Sequence, residues 1–594
     1  MVKTGVAFPD FISTDKAKRR QRDFEGKGNS MRDLFLILSL AVVVVLLFLR
    51  LFYLQIVQGA NFRYLSNNNR IRTAIIHAPR GIIFDRNGVP LVYNIPGFRE
   101  TVNGKTVQLE ESRALSLIAK GKNDLEIDSL REYPYKDVLA HVLGYLGQIS
   151  KRQLSEPQYY SYNPGDLIGE AGIEQEYESE LRGTNGKQLI EVDAQGLPVR
   201  TLGQQDPIPG KNINLTIDIG LQKAVYDAMK DVKKGAAIVS TPRGQILAMV
   251  SKPSFDPNLF TLGLSYKVAS ESAYPSVSSI LSDSQNQPLL NRSISGVYPP
   301  GSTFKLIVAS AGLTDNIIDV NWQVLDTGII NIGSFSFSNW YYSGYGGTDG
   351  EVNVVKGIQR SNDIFFYTLA GKVGVDKVSA MAKKFGLGSP LGIDLQGEAS
   401  GLVPTAEWKQ KTFGEPWYLG DTYHYGIGQG YLLTTPLQVN AWTQAIANGG
   451  TLYRPHLLLS LKPQILASNL LDAHSTDLIR QGMIEACAPG GVGWPLFDYV
   501  VKNPKLTIDG KNILPAPQAT TSAGFQDFRH VVVACKTGTA QVGGATTLPD
   551  AWFTLYAPAY NPQIVVTVLS ENSGEGSNIA GPIAKQILDY YFSK

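Results

Sequence analysis

An α+β fold carried on an N-terminal membrane helix is predicted by three features of the sequence. Leu34 to Leu49 reads LFLILSLAVVVVLLFL, apolar throughout except Ser39. Beyond residue 213, strand-like runs stand at both ends of a long region with a helical middle, which implies an antiparallel sheet joined by the region's two ends and flanked by helices. Residues 58–212, between these parts, contain short elements separated by turn residues. The layout expected is a cytoplasmic tail over 1–32, a transmembrane helix over 33–57, a mixed pedestal over 58–212 and a C-terminal domain over 213–594.

Composition narrows the function classes. The 594 residues are 43% hydrophobic with a formal net charge of +2, enough to bury a core and too near neutrality for a nucleic-acid footprint. Six His and two Cys leave little for a metal site, and HExxH, CxxC and GxSxG are all missing.

The apolar run continues after Arg50 as LFYLQIV, giving roughly 23 positions, long enough to cross about 30 Å of hydrocarbon. It is too long for a cleavable signal segment and lacks an A-x-A-like site. The preceding KAKRRQR puts the N-terminus in the cytoplasm, with Arg50 snorkelling at the far boundary. The expectation is a single-pass, type II protein in the lipid bilayer, with everything after about residue 57 outside the cytoplasm.

In the pedestal, HAPRGIIFDRNGVPLVYN reads as two strands around a turn at Arg86-Asn87-Gly88. EYPYKDVLAHVLGYLG has helical spacing, and GIEQEYE opens a further helix ending at Arg182-Gly183. No catalytic cluster is visible there. From 213 the chain gives a strand, an amphipathic helix and two strands around Pro242-Arg243-Gly244. HVVVACKTGTAQV, AWFTLYAPA and QIVVTVLSEN follow near the C-terminus as strands, with IAGPIAKQILDYYF as the closing helix.

Three short patterns carry the chemistry. In GVYPPGSTFKLIVASAGL, Ser302 and Lys305 are three residues apart at a helix start, so their side chains share a face. A serine hydroxyl needs a base to become a nucleophile, and a buried, neutral lysine can serve. Free N–H groups at a helix start can hold an oxyanion. In IQRSNDIFFYTLAGKVG, Ser361 could relay a proton and Asp363 could orient it. In ACKTGTAQ, Lys536 could hold a carboxylate or tune the serine, and Gly538 could let an extended peptide lie along the strand. Taken singly, each has a plainer reading: Ser302 as an N-cap, Ser-Asn-Asp as ordinary capping, Lys-Thr-Gly as a strand with a tolerated glycine. Lys3-Thr4-Gly5 and Ser13-Thr14-Asp15-Lys16 in the tail repeat two of the patterns without their context.

In the order S-x-x-K, S-x-D, K-T-G, downstream of an anchor, the three patterns resemble the serine acyl transferases of the penicillin-binding type. The surrounding YPPGSTFK, SNDIFFY, YGIGQGYLLTTPLQ, CKTGTAQ and AWFTLYAP are similar to that superfamily. NRIRTAIIHAPRGIIFDRNGVPL and GIEQEYESELRGTNG resemble the start and exit of the class B pedestal. The resemblance covers residues 50–594 and is to class B penicillin-binding proteins of the elongation type, a branch favoured by Asp at position 363.

That resemblance implies a penicillin-binding, serine β-lactamase-like transpeptidase domain that cross-links peptidoglycan in elongation and shape maintenance. By it, Ser302 attacks the penultimate D-Ala carbonyl of a stem peptide ending in D-Ala-D-Ala, with Lys305 as base. N–H groups of Ser302 and Thr539 form the oxyanion hole. Lys536 and Thr537, with Thr539, bind the terminal carboxylate; Gly538 completes that strand; Ser361 shuttles the proton and Asp363 supports the Lys–Ser network. β-Lactams would acylate Ser302, and neither metal nor organic cofactor takes part. The partner implied is a membrane glycosyltransferase of the shape, elongation, division and sporulation family, because about 155 residues between anchor and transpeptidase are too few for a built-in one. A division-type transpeptidase, a D,D-carboxypeptidase and a β-lactam sensor or scaffold are the alternatives. Trp417 and Tyr423 are read as packing beneath a loop rather than lining a groove. Cys487 and Cys535 are read as two small buried residues, a disulfide being the other possibility. An apparent insertion between them, over 494–526, is expected to shape the substrate groove.

Overall fold

The computed structural model describes residues 30–102, 105–122, 125–193, 198–262, 266–269, 272–517, 527–544 and 546–594. The described residues divide into two compact units, those within 30–74 and 189–203, and those within 75–188 and 204–594.

In the first unit, helix α1 spans Ser30–Phe52 and runs on as a π-helical turn to Val57. At 1.5 Å per residue its 23 residues rise about 34 Å, and its apolar side chains are exposed from Leu34 to Leu49. A helix apolar on every side and bare of protein contacts suits a bilayer, where lipid replaces a core. Glu191 in this unit pairs with Arg200 at 2.6 Å and with Arg70.

The second unit begins with the expected hairpin. Strands Ile83–Phe84 and Pro90–Val102 pair around a turn that the Asp85 carboxylate organises, accepting from Asn87 and Val89 N–H at 2.8 Å each. The helix expected over EYPYKDVLAHVLGYLG shrinks to a 3₁₀ turn at Lys136–Val138 and one turn at Ala140–Leu143. All four residues of that last turn are buried, and Gly144 at φ 79° stops it. The apolar spacing there reports burial on all sides, not an amphipathic helix. The strand Ile213–Asn214 runs parallel to Ile83–Phe84, stitching pedestal to C-terminal domain. Glu174, fully buried, holds Arg131 at 2.7 Å and Arg80 at 2.8 Å, so its charge is matched where water cannot reach it.

The C-terminal domain is built on one five-stranded antiparallel sheet. Its strands are β1 Gly235–Ser240, β2 Ile246–Lys252, β3 Ala534–Ala540, β4 Asp550–Ala557 and β5 Ile564–Ser570, in spatial order β2-β1-β5-β4-β3. The two ends of the domain's sequence thus meet at the β1–β5 pair, where Gly235 faces Ser570. Alternate side chains enter two cores. Ile238, Met249, Trp552 and Tyr556 join one; Val239, Val250, Phe553 and Leu555 join the other.

Helices cover both faces. α2 Ile219–Ala228, α6 Pro436–Ala447, α7 Ala473–Ala486 and α8 Ala580–Ser593 contact the sheet, while α3 Lys305–Thr314, α4 Val354–Gln359 and α5 Asp363–Val373 pack on one another, with α3 and α4 against α7. Helix α6 crosses the first face, where Thr443, Thr554 and Thr567 share a buried hydroxyl chain at 2.8 and 2.9 Å. Helices α2 and α8 lie on the second face.

Three expectations change here. HVVVACKTGTAQV is not one strand: Phe528–Val531 belongs to a separate three-stranded sheet with Val500–Lys502 and Ile513–Pro515, and β3 begins only at Ala534. Among the described residues the insertion builds that small sheet against the second core, through Tyr499, Val501 and Ile513, and none of them lines the groove. Cys487 and Cys535 are both buried, as read, but they are joined as a disulfide with Cα atoms 5.8 Å apart.

Candidate active site

Gly301–Phe304 forms a 3₁₀ turn that leads directly into α3, and this turn presents Ser302 to a cleft. The turn is held from behind: Gly301 N–H donates to the Gly428 carbonyl at 3.0 Å, and Phe304 stacks on Tyr425 with ring centres 5.2 Å apart. Lys305 opens α3 proper and is fully buried among apolar residues. Its amine donates to Asp363 Oδ1 at 2.6 Å and to the Ser361 carbonyl at 2.7 Å, and stands 3.4 Å from Ser361 Oγ. Among the described residues no hydrogen bond links Ser302 Oγ to Lys305, whose amine is engaged with Asp363 and Ser361.

Lys536 arrives from β3, the edge strand of the sheet, and is also fully buried. Its amine donates to Ser361 Oγ at 2.8 Å and to the Thr537 carbonyl at 3.0 Å. Ser361 therefore bridges two lysines and keeps its own hydroxyl proton for a third partner. Burial holds the Lys305 amine below the ordinary lysine range, against the opposing pull of Asp363. Lys536 is held well below it, by burial first and by the neighbouring Lys305 charge second. A lysine so placed gives up its proton far more readily than one in water.

Ser361 sits at φ 51°, in the left-handed region that a serine adopts at a cost. A polar network holds it there. Asn362 caps α5 by accepting from Phe365 N–H at 2.9 Å, while its amide donates to Asp326 at 2.8 Å and Asp349 at 2.9 Å. Asn339 donates to Asp326 at 2.8 Å and accepts from Asp363 N–H at 3.1 Å. Asp363 Oδ2 in turn accepts from Trp340 N–H at 2.8 Å. Motif reading passed over Asp326, Asn339 and Asp349, which lie up to 37 residues from the motif they support; only Asn362, inside Ser-Asn-Asp, carried a visible signal.

The cleft has a volume of about 670 Å³, and Ser302, Ser361, Asp363, Thr537 and Thr539 all line it. Thr539 is the one exposed residue of β3. Trp340, His424 and Val492 form the other walls. Tyr423 stacks on Tyr367 at 5.4 Å and meets Phe337 edge-on at 5.2 Å, and Trp417 donates to Thr422 at 2.8 Å, so both are packing residues as read.

The structure thus puts five of the eight predicted residues on one cleft, with Lys305 and Lys536 buried behind it and Gly538 between Thr537 and Thr539. Gly538 has a different reason to be glycine. A Cβ there would come within 2.9 Å of the Trp552 Cβ and 3.0 Å of both the Pro300 carbonyl and Thr303, so the strand needs glycine to let the serine-bearing turn approach. Lys3-Thr4-Gly5 and Ser13 to Lys16 fall outside the described residues.

The chain is similar to known proteins over most of its length. Residues 235–589 match the penicillin binding protein transpeptidase domain, and residues 122–215 the penicillin-binding protein dimerisation domain. The chain is 32% identical to the peptidoglycan D,D-transpeptidase MrdA of Haemophilus influenzae, over 96% of this chain and 93% of that one. It is similar to the crystal structure of Pseudomonas aeruginosa PBP2 in complex with WCK 5153, at 34% identity and a TM-score of 0.65, covering 88% of this chain and 96% of the other. It is also similar to Helicobacter pylori PBP2 in its complex with MreC, at 27% identity and a TM-score of 0.70, covering 88% and 99%.

Proposed function

Since the chain belongs to the penicillin-binding protein transpeptidase family, in its class B, elongation-type branch, we propose how its cleft carries out that family's chemistry. The protein is a serine-type peptidoglycan D,D-transpeptidase. The observation that carries the residue assignment is the unbroken contact from Lys305 through Ser361 to Lys536 beside Ser302.

In acylation, Ser302 Oγ attacks the penultimate D-Ala carbonyl and its proton passes to neutral Lys305. Burial supports the neutral form, and substrate binding must close the gap between Ser302 and the lysine, as happens when catalytic contacts tighten on substrate. The oxyanion is held by the N–H groups of Ser302 and Thr539, one at a helix start and one on an edge strand. The leaving D-Ala amine takes its proton through Ser361, the group in contact with both lysines. Thr537 and Thr539 receive the substrate's terminal carboxylate from the cleft side, with Lys536 behind them. The amine of a second stem peptide then attacks the acyl-enzyme and releases Ser302, completing the cross-link. β-Lactams acylate the same hydroxyl. Asp363 fixes Lys305 and is a positioning group.

The N-terminal apolar helix is a single-pass membrane anchor, and we orient it with the KAKRRQR segment in the cytoplasm and the transpeptidase domain outside. The Helicobacter pylori relative assembles with MreC, and a docking partner of that kind suits this chain's pedestal. A membrane glycosyltransferase is the second partner proposed, because a transpeptidase must receive newly polymerised strands.

Labelling by a fluorescent penicillin, compared between wild type and Ser302→Ala, tests the assignment. Wild type alone should label; equal labelling of both would remove Ser302 as the nucleophile.

A further inference from the structure

Cys535 immediately precedes Lys536 on β3, and alternation along the strand turns its side chain to the face opposite the lysine. As the edge strand, β3 has a sheet neighbour on one side only. Cys487 sits at the C-cap of α7, so the disulfide ties the strand that carries Lys536 to the end of that helix.

The loop that leaves Cys487 converges on the same point. Gly493 lies directly on the bridge: a Cβ there would stand 2.6 Å from Cys535 Sγ and 3.2 Å from Cys487 Sγ. Its N–H donates back to the Ala486 carbonyl at 2.7 Å. From this fixed point the loop reaches two further parts of the site. The Gly490 carbonyl accepts from Arg360 at 3.0 Å, and Arg360 is the residue before the strained Ser361. Val492 forms a wall of the cleft, and its carbonyl accepts from Ser577 Oγ at 2.7 Å, where Ser577 is another wall residue. Lys536, the approach to Ser361 and one cleft wall therefore share a single covalent anchor.

We infer that the Cys487–Cys535 disulfide positions the acylation machinery, so that the transpeptidase reaches full rate only after these two thiols have been oxidised. The inference rests on the acyl-transfer reading above and adds to it a requirement on the protein's maturation. Forming the S–S bond removes two protons and two electrons from the thiols, and these pass to a disulfide oxidant of the cell envelope, which leaves as a dithiol. Cys535 has no exposed surface and Cys487 only 5%, so the oxidation belongs to folding and the finished bond is shielded from reductants.

Penicillin acylation, resolved into its binding and acylation constants across a pH series, tests this on Cys487→Ala/Cys535→Ala held well below its melting temperature. The acylation constant should fall roughly 10- to 100-fold with little change in binding, the scale on which small misplacement of catalytic groups acts. The rising limb of its pH profile should move to higher pH, because a looser strand admits water to Lys536. An unchanged acylation constant and pH profile, even with a lower melting temperature, would reduce the bridge to a staple and overturn the inference. Should the double variant fail to fold, wild-type protein refolded with a dithiol reductant and wild-type protein refolded with oxidised glutathione are assayed side by side, the thiols of each counted by alkylation after unfolding. A rise in rate on oxidation supports the inference, and an unchanged rate overturns it. Ser302→Ala run alongside separates the two readings: labelling retained there would sink the acyl-transfer assignment, whereas the disulfide's role is read from rates alone.

Discussion

The Lys536 amine lies 2.8 Å from the Ser361 hydroxyl, and the Lys305 amine lies 3.4 Å from that same oxygen. Two buried amines that would repel each other when charged share one serine, and the Lys305 charge, after burial, depresses the charged form of Lys536. Ser361 is the only hydroxyl placed to pass a proton between them among the contacts described.

Ser361→Ala should therefore cut acylation by a β-lactam about 10²-fold or more, the usual scale for losing a proton-transfer group. Binding before acylation should change little, since the carboxylate contacts proposed above are made by Thr537 and Thr539, which Ser361→Ala leaves in place. Stopped-flow kinetics with a chromogenic β-lactam measure both constants, and a rate within a few-fold of wild type would deny Ser361 a relay role.

Asp363→Asn carries a signed pH prediction. The aspartate raises the proton affinity of both lysines against the burial that lowers it. Without it burial acts unopposed, both amines lose their protons at lower pH, and the rising limb of the acylation profile moves to the acid side. The plateau should drop as well, because Lys305 loses its 2.6 Å ion pair. A lower plateau with an unmoved limb would show that Asp363 acts on geometry alone.

Asp550, paired with Ala540 across β3 and β4, is buried and its carboxyl is pushed up to about 6, by burial first and by the Glu571 charge second, against a hydrogen bond from Asn572 N–H. The folded state therefore holds this proton more tightly than the unfolded chain. Stability falls as pH rises from about 3.8 to about 6, and the cost is complete above that. Asp550→Asn should stabilise the protein by roughly 1–3 kcal/mol at neutral pH and much less near pH 4. Thermal melts at the two pH values check it; an equal gain at both would rule out the charge as its source.

Much of the site was legible because its chemistry is local in sequence. Ser302 and Lys305 need only a helix start to share a face, and Lys-Thr-Gly needs only a strand. The sheet's strands showed as apolar runs because both of its faces are covered, and the 23-residue N-terminal helix showed because it is apolar on every side, the pattern a bilayer demands. Other elements were hidden. EYPYKDVLAHVLGYLG looked helical because burial on all sides mimics helical spacing. The break between Phe528–Val531 and β3 was invisible, because apolar residues continue through Val532 and Val533 into a different sheet.

The chain's order of motifs, apolar segment and charges was enough to point to a serine acyl transferase with an N-terminal apolar helix and to nominate its reacting groups. Those properties depend on residue type and short spacing, which survive without coordinates. Folding alone could establish that Ser361 stands between two lysines, that Asp326, Asn339 and Asn362 hold it in a left-handed conformation, that Gly538 makes room for the serine turn, and that Cys487 meets Cys535 behind Lys536. Each joins residues separated by tens to hundreds of positions, and distance along a chain says nothing about distance in space until the sheet and its helices have closed.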